Sequence, residues 1–317
     1  MTRQTHALYP NRRRWLLLLV ILVAVYVLLP QVGDFRSSWH VMSHPRALPV
    51  ITAIVLTLAT FAAAAGTYCI LAFHRLRYRR TLLVQVAANF VDRLLPAGIG
   101  GLGANYLYLR HERHSATQAG STVAINNLLG FLGHMLLIIL LLVVSHNSLE
   151  ALHWHGPDPS FLVKAVLAVA VVLVVAGLLF GRERFQKVSA NVKIQLKAWR
   201  RRKRSLLAAL GTSLILTMCN ALSLLCCLHA LNVQLPFVSV LLAFTVGLGA
   251  GSAVLTPGGI GGFEAGLAAS FAAYGVDAPA ALALALLYRL ISYWLPLIIG
   301  AAAFVVCERR QLFKVPS

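Results

Sequence analysis

Asp92, Arg93, Glu264 and Arg289 lie inside otherwise apolar stretches of this 317-residue chain. A guanidinium in an apolar medium has to find an acceptor, and a carboxylate or phosphodiester presents two oxygens that match its paired donors. Arg93 and Arg289 are therefore candidates to hold an anionic group, with Asp92 and Glu264 beside them. Glu264 opens the helix expected after Gly262, where free N–H groups and the helix dipole favour a carboxylate and would equally suit a phosphate. At an offset of 162, Asn126 and Asn127 fall opposite Tyr288 and Arg289, and Asn127 joins the candidate substrate contacts as an uncharged donor. From sequence alone, Glu264 and Arg289 read equally as a structural ion pair and as a substrate site. Lys164 sits near the outer end of its helix and can snorkel to the interface.

Rival chemistries lack their residues. No paired carboxylates, nucleophile with base, or metal-ligand spacing is present, and His111 and His114 at the inner face are the remaining acid–base candidates. The five cysteines lie in or beside apolar runs without a CxxC pair and read as small hydrophobes. His153-Trp154-His155 offers two ligands only. Gly98, Gly100 and Gly103 spell GxGxxG, but no strand precedes them and no acid follows at the distance a dinucleotide site needs. The expectation is no catalytic residue, no metal, no cofactor and no enzyme activity, with any energy coming from a gradient or a lipid sink.

The elements that must position these residues follow from composition. The chain is 59% hydrophobic and 12% charged, against about 25% charged in soluble domains, which excludes a water-soluble globular enzyme. Six stretches approach the roughly 20 apolar residues of a spanning helix: 15 to 30, 48 to 73, 117 to 145, 161 to 180, 206 to 230 and 280 to 306. The first has no cleavage site after it and reads as a retained helix. Two more apolar segments, 81 to 109 and 237 to 275, are broken by Leu95-Pro96-Ala97-Gly98-Ile99-Gly100-Gly101 and Thr256-Pro257-Gly258-Gly259-Ile260-Gly261-Gly262. Broken backbone at membrane depth is tolerated where protein or a water-filled cavity satisfies it, so both are expected as re-entrant hairpins.

The net charge of +19 then becomes a topology record. With both broken segments entering and leaving on one side, 23 of the 28 basic residues share one face. They come from the N-terminus, the 74 to 80 and 110 to 114 loops, the 182 to 204 loop and the C-terminus. Arg36 and Arg46 mark the other face, and Arg93, Lys164 and Arg289 remain in apolar segments. Making only one broken segment a full crossing spoils this separation. Positive-inside places both termini in the cytoplasm. Residues 185 to 199 carry Phe185, Val188, Val192, Leu196 and Trp199 at spacings of three or four, an amphipathic pattern suited to the inner leaflet, ending in the run Arg200 to Arg204. No nucleic-acid module accompanies the charge, so nucleic acid is not an expected partner.

The glycine motifs repeat. At an offset of 161, Pro96, Gly98, Ile99, Gly100, Gly101 and Ala104 meet Pro257, Gly259, Ile260, Gly261, Gly262 and Ala265, six identities in nine positions. An odd number of crossings between the units inverts the second, and inverted broken segments meeting at the midplane are how many secondary transporters build a site. The alternative is a duplicated packing motif, since Gly258 to Gly262 and Gly247 to Gly251 both fit GxxxG.

With those residues in view, the sequence resembles the lysylphosphatidylglycerol synthase transmembrane-region family of flippase-like membrane domains. The match runs from Thr256 through Pro257, Gly258, Gly259, Gly261, Gly262 and Glu264 to Ala265, then Gly275-Val276 and Leu287-Tyr288-Arg289-Leu290-Ile291-Ser292-Tyr293, with a weaker copy at Leu95 to Gly100. The resemblance implies a bacterial inner-membrane protein with two inverted re-entrant elements, associated with moving phospholipids or lipid-linked molecules between leaflets. Where the family's first motif often carries an acid and an Arg, Leu102, Gly103, Ala104 and Asn105 stand here, and the soluble aminoacyltransferase domain of full-length synthases is not expected.

The reading is an all-α polytopic membrane protein of about six spans and two hairpins. Its parts are a tail, first helix and outer loop (1–47), a first repeat (48–181), a basic amphipathic segment (182–204), a second repeat (205–306) and a tail (307–317). Translocation of a lipid, anionic in headgroup, is the expected activity. A membrane enzyme acting on a headgroup, or an accessory subunit anchoring a lipid or envelope-glycan synthetic enzyme, are the rivals.

Overall fold

The computed structural model describes residues 45–95, 98–144, 199, 202–254 and 256–315. The described residues form helices α1 (Ala47–Leu71), α2 (Tyr78–Leu94), α3 (Ile99–His111), α4 (Ala116–Val144), α5 (Lys203–Ala230) and α6 (Phe237–Ala253). A 3-10 turn (Pro257–Gly259), α7 (Gly262–Ala273), α8 (Ala278–Arg289), a π turn (Leu290–Trp294) and α9 (Leu295–Arg309) follow, and no strand is present among them. Four helices are long and apolar enough to cross a bilayer: Ala47–Leu71, Ala116–Leu140, Lys203–Ala230 and the continuous rod Ala278–Arg309. They coincide with the stretches expected from 48, 117, 206 and 280. The spans expected at 15 to 30 and 161 to 180, Lys164, His153-Trp154-His155 and most of 182 to 204 lie outside the described residues, as do Pro96 and Ala97.

Two compact units share these helices. One gathers the described residues up to Leu58 with Val86–Ala104 and Cys219–Val305, and the other gathers Ala59–Gln85, the described part of Asn105–Met218, and the chain from Val306. Contacts along α1 and α5 run antiparallel. In the first unit Arg46 N–H donates to Ala230 C=O, and the hydroxyls of Thr57 and Ser223 lie 3.0 Å apart. In the second, Thr67 and Thr212 lie 2.8 Å apart, and the Arg202 guanidinium donates to the carbonyls of Ile70, Leu71 and Ala72. A helix end leaves its last carbonyls without partners, and Arg202 closes α1 by taking three of them.

Trp199 departs from its expected place on a lipid-facing stripe. It is 3% exposed and packs with Leu71, Leu129 and Ala209, its ring 5.1 Å from that of Phe73. Protein interior and lipid are both apolar, so spacing by three and four marks the stripe without saying which of them covers it.

Both glycine-broken segments fold as tight antiparallel hairpins. In the second, a Cβ on Gly262 would lie 2.6 Å from the Ala250 carbonyl oxygen, and one on Gly266 3.2 Å from that of Val246, so α7 rests on the α6 backbone. Gly247 and Gly251 leave room for Phe263, the close approach that GxxxG spacing permits. In the first hairpin, a Cβ on Gly100 would lie 2.2 Å from the Val91 carbonyl oxygen. Further along the same two helices, Gln85 donates to Asn105 at 2.6 Å and Thr81 meets the Tyr108 hydroxyl at 3.0 Å. The arms have 17, 13, 17 and 12 residues, about 18–26 Å at 1.5 Å each, shorter than the roughly 30 Å hydrocarbon core.

Candidate functional site

The second break is built around Glu264. Gly258 and Gly259 have φ of 62° and 66° and Gly261 has 87°, left-handed values that glycine adopts without strain, and so the chain can reverse between α6 and α7. Glu264, three residues into α7, reaches back so that Gly261 N–H donates to its Oε2 at 2.8 Å, the return half of a capping box. Its Oε1 accepts from Arg289 Nε at 2.5 Å. Arg289 also donates from Nη2 to the Gly258 carbonyl at 3.0 Å. One guanidinium at the end of α8 thus grips both the helix start and the turn before it. Glu264 and Arg289 are 8% and 7% exposed, a buried pair in which each ion has a second hydrogen bond.

The first break is arranged differently. Asp92 and Arg93 are adjacent on α2, and successive residues on a helix point apart. Asp92 instead accepts the Gly101 N–H at 2.9 Å, bracing α2 against the first turn of α3. Gly98 has φ of 72°, the counterpart of Gly259 in the repeat, whereas Gly100 does not share the positive φ of Gly261. Arg93 donates from Nε to Asn89 Oδ1 and from Nη2 to the Ser292 carbonyl, both at 2.6 Å. Gly300 makes this approach possible, since a Cβ there would sit 2.9 Å from the Val86 carbonyl oxygen and hold α9 off α2. Among the described residues Arg93 has no ion pair, and the two ion pairs present are Arg289 with Glu264 and Arg80 with Glu112.

Ser292 presents its carbonyl for a local reason. Residue 296 would donate to residue 292 in a regular helix, but it is proline and has no N–H. The rod widens there into the π turn Leu290–Trp294, with Leu295 N–H reaching back five residues to the Leu290 carbonyl.

On that π turn stands Tyr293, where the two breaks meet. The guanidinium carbons of Arg93 and Arg289 each lie 4.4 Å from its ring centroid, and Arg289 is also 4.8 Å from the Phe263 ring. Such contacts between cation and aromatic face strengthen when desolvated. Tyr293 and Tyr288 are 4% and 2% exposed, with Phe263 stacked on Tyr288 at 5.9 Å. The structure therefore brings Asp92, Arg93, Glu264 and Arg289 into one unit with the glycines 98, 100, 101, 258, 259, 261 and 262 and Pro257. Asn127 belongs to the other unit, where its amide donates to the Val123 carbonyl one turn back. Sequence reasoning missed Tyr293, Asn89 and the Ser292 carbonyl. Only the last had a signal, the proline four residues on.

As a chemical site the cluster presents two guanidiniums, an aromatic plate and one ion-paired carboxylate. Among the described residues Nη1 of both arginines carries no hydrogen bond, leaving donors for an anion. No group of three potential metal ligands occurs among those residues.

Comparison with known proteins agrees with this architecture. The pattern describing the lysylphosphatidylglycerol synthase TM region matches residues 15–300. Over 310 residues the chain is 25% identical to Inner membrane protein YbhN of Escherichia coli (strain K12), covering 93% of this chain and 91% of that protein. A stretch of 117 residues is 32% identical to UPF0104 membrane protein PH1989 of Pyrococcus horikoshii, covering 37% of this chain and 34% of that one. The chain is thus a multi-pass membrane protein and belongs to the lysylphosphatidylglycerol synthase TM-region family.

Proposed function

We propose that the protein moves a phospholipid or lipid-linked polar molecule with an anionic headgroup between the leaflets of the cytoplasmic membrane, without altering it covalently. The observation that carries this reading is the pair of guanidiniums on Tyr293, of which, among the described residues, only Arg289 is ion-paired with a carboxylate. Arg93 is half-buried beside Asp92 but is not ion-paired among the described residues, and a phosphodiester offers it an anionic acceptor. Three features support a translocation path at this place. Each broken segment is a hairpin with arms too short to span, the antiparallel contacts of α1 and α5 suit an inverted repeat, and half-spanning hairpins meeting near the midplane form the sites of many transporters. In this mechanism both hairpins are re-entrant, the headgroup passes along the cluster and the acyl chains stay in lipid.

The test is transbilayer movement of fluorescent phosphatidylglycerol in phosphatidylcholine vesicles containing the purified protein. Wild type is expected to equilibrate the label and return it chemically unchanged. Arg93→Gln, which removes one charge-assisted contact, is expected to slow movement about tenfold or more. If wild type moves no labelled anionic lipid, the reading fails. Recovery of chemically altered lipid would replace it with an enzyme.

A further inference from the structure

The two guanidiniums differ in how firmly they are held. Arg289 is fixed by an anion on Nε and by the Gly258 carbonyl on Nη2. Arg93 is tethered through Nε to a neutral amide, and its Nη2 rests on the Ser292 carbonyl, the one that Pro296 cannot serve. Nη2 carries two N–H groups, and a phosphate that engages Nη1 together with the Nη2 N–H now on Ser292 draws that N–H from a neutral acceptor to an anionic one. Both bonds have an ionised donor, but only the phosphate adds an opposite charge to the guanidinium, so the exchange runs toward the phosphate. Ser292 then loses the partner that substitutes for the missing helix bond. Tyr293 follows Ser292 on the same π turn, and a Cβ on Gly258 would lie 2.3 Å from its Cε2. A change in that turn is therefore felt at once by the second hairpin.

Resting on the reading above that the cluster holds an anionic headgroup, we infer that the Arg93–Ser292 bond is a headgroup-responsive joint. A lipid phosphodiester takes Arg93, releases the Ser292 carbonyl, and lets the rod Ala278–Arg309 re-bend at its π turn. Arg93 is then the residue that senses the headgroup, and Arg289 a positioning residue that keeps the second hairpin shut. Interconversion of π and α turns moves a hydrogen bond by one residue, a small change with a lever on both sides.

The full-length protein in phosphatidylcholine nanodiscs, with and without phosphatidylglycerol, tests this by hydrogen exchange of the amides from Trp294 to Ile299. Bound phosphatidylglycerol is counted in parallel by native mass spectrometry. In wild type, phosphatidylglycerol is expected to speed exchange in this stretch about fivefold to tenfold, the effect of one lost hydrogen bond. Arg93→Gln is expected to exchange fast with or without it. Pro296→Ala restores a donor to Ser292, and is expected to exchange slowly in both while still binding the lipid. Soluble glycerol 3-phosphate is expected to leave exchange unchanged, and if it acts as well as phosphatidylglycerol the lipid assignment is overturned. Wild type that binds phosphatidylglycerol with no change in exchange overturns the joint and leaves the transport reading standing. Wild type that neither binds nor moves that lipid overturns the transport reading itself.

Discussion

The two glycine breaks share a sequence and differ in how they are closed. In the second, the carboxylate comes from the helix after the turn and is neutralised by Arg289, so turn, helix start and last span form one ion-paired knot. In the first, the carboxylate comes from the helix before the turn and meets a backbone N–H, while the neighbouring arginine leaves its own hairpin for the Ser292 carbonyl. The two breaks share the glycines, which solve a steric problem, and not the charges. One hairpin thus closes on an ion pair, and the other carries a cation whose described hydrogen-bond acceptors are both neutral.

The sharpest way to break the comparison is to remove each arginine in turn. Arg289→Gln strands Glu264 as a buried carboxylate with only the Gly261 N–H, and is expected to destabilise by about 3–5 kcal/mol. Arg93→Gln removes bonds to two neutral acceptors and is expected to lose about 1–2 kcal/mol. Unfolding in detergent followed by circular dichroism measures both. Adding Glu264→Gln to Arg289→Gln should recover part of the loss, because the unpaired charge goes with it. Equal losses from the two single substitutions would mean that the hairpins are held alike.

Much of this was legible in the sequence. Leucine- and alanine-rich runs set the four described spans within a few residues, and proline with clustered glycine set both breaks. Glu264 and Arg289 were legible as a pair because each is an isolated charge in an apolar run. Asp92 and Arg93 were legible as charges at the first break, but the Gly101 N–H that Asp92 accepts was not, because that contact depends on how the hairpin closes. Tyr293 was beyond reach, since its two cations stand 200 and four residues away and nothing in an aromatic residue on an apolar helix announces them. Trp199 failed for a different reason, the equal apolarity of lipid and core.

A smaller effect tests the part that the breaks have in common. Gly100→Ala places a methyl 2.2 Å from the Val91 carbonyl oxygen, and Gly262→Ala one 2.6 Å from that of Ala250. Backbone cannot swing away as a long side chain can, so each is expected to destabilise by about 1–3 kcal/mol. Gly103 has nothing within 4 Å of its Cβ direction, and Gly103→Ala is expected to be neutral or to stabilise by up to about 1 kcal/mol. If Gly100→Ala is as harmless as Gly103→Ala, the first hairpin is not closed as tightly as the second.

The smallest expected effect is pH, and it separates the hairpins at their far ends. Helix α7 ends on Gly275, with Val276 N–H bonding back to the Phe271 carbonyl and no imidazole involved. The first hairpin ends on His114, 2% exposed, whose Nε2 accepts the N–H groups of both Phe73 and His74. Its Nδ1 faces the Leu109 carbonyl at 3.1 Å and must carry the proton, so the ring is held neutral. Burial lowers its pKa below the ordinary imidazole value, the His74 ring 4.8 Å away adds to that, and Glu112 opposes it. The unfolded chain therefore binds the proton more readily than the folded one. This contribution is complete above about pH 6.5, where the free imidazole is neutral, and is lost as pH falls below it toward the folded value. Hydrogen exchange at Phe73 and His74, corrected for intrinsic rates, is expected to accelerate between pH 7 and about pH 5 while exchange at Val276 stays level. His114→Gln is expected to abolish the difference. Parallel pH profiles at the two ends would show that acid loosens both hairpins through some group other than His114.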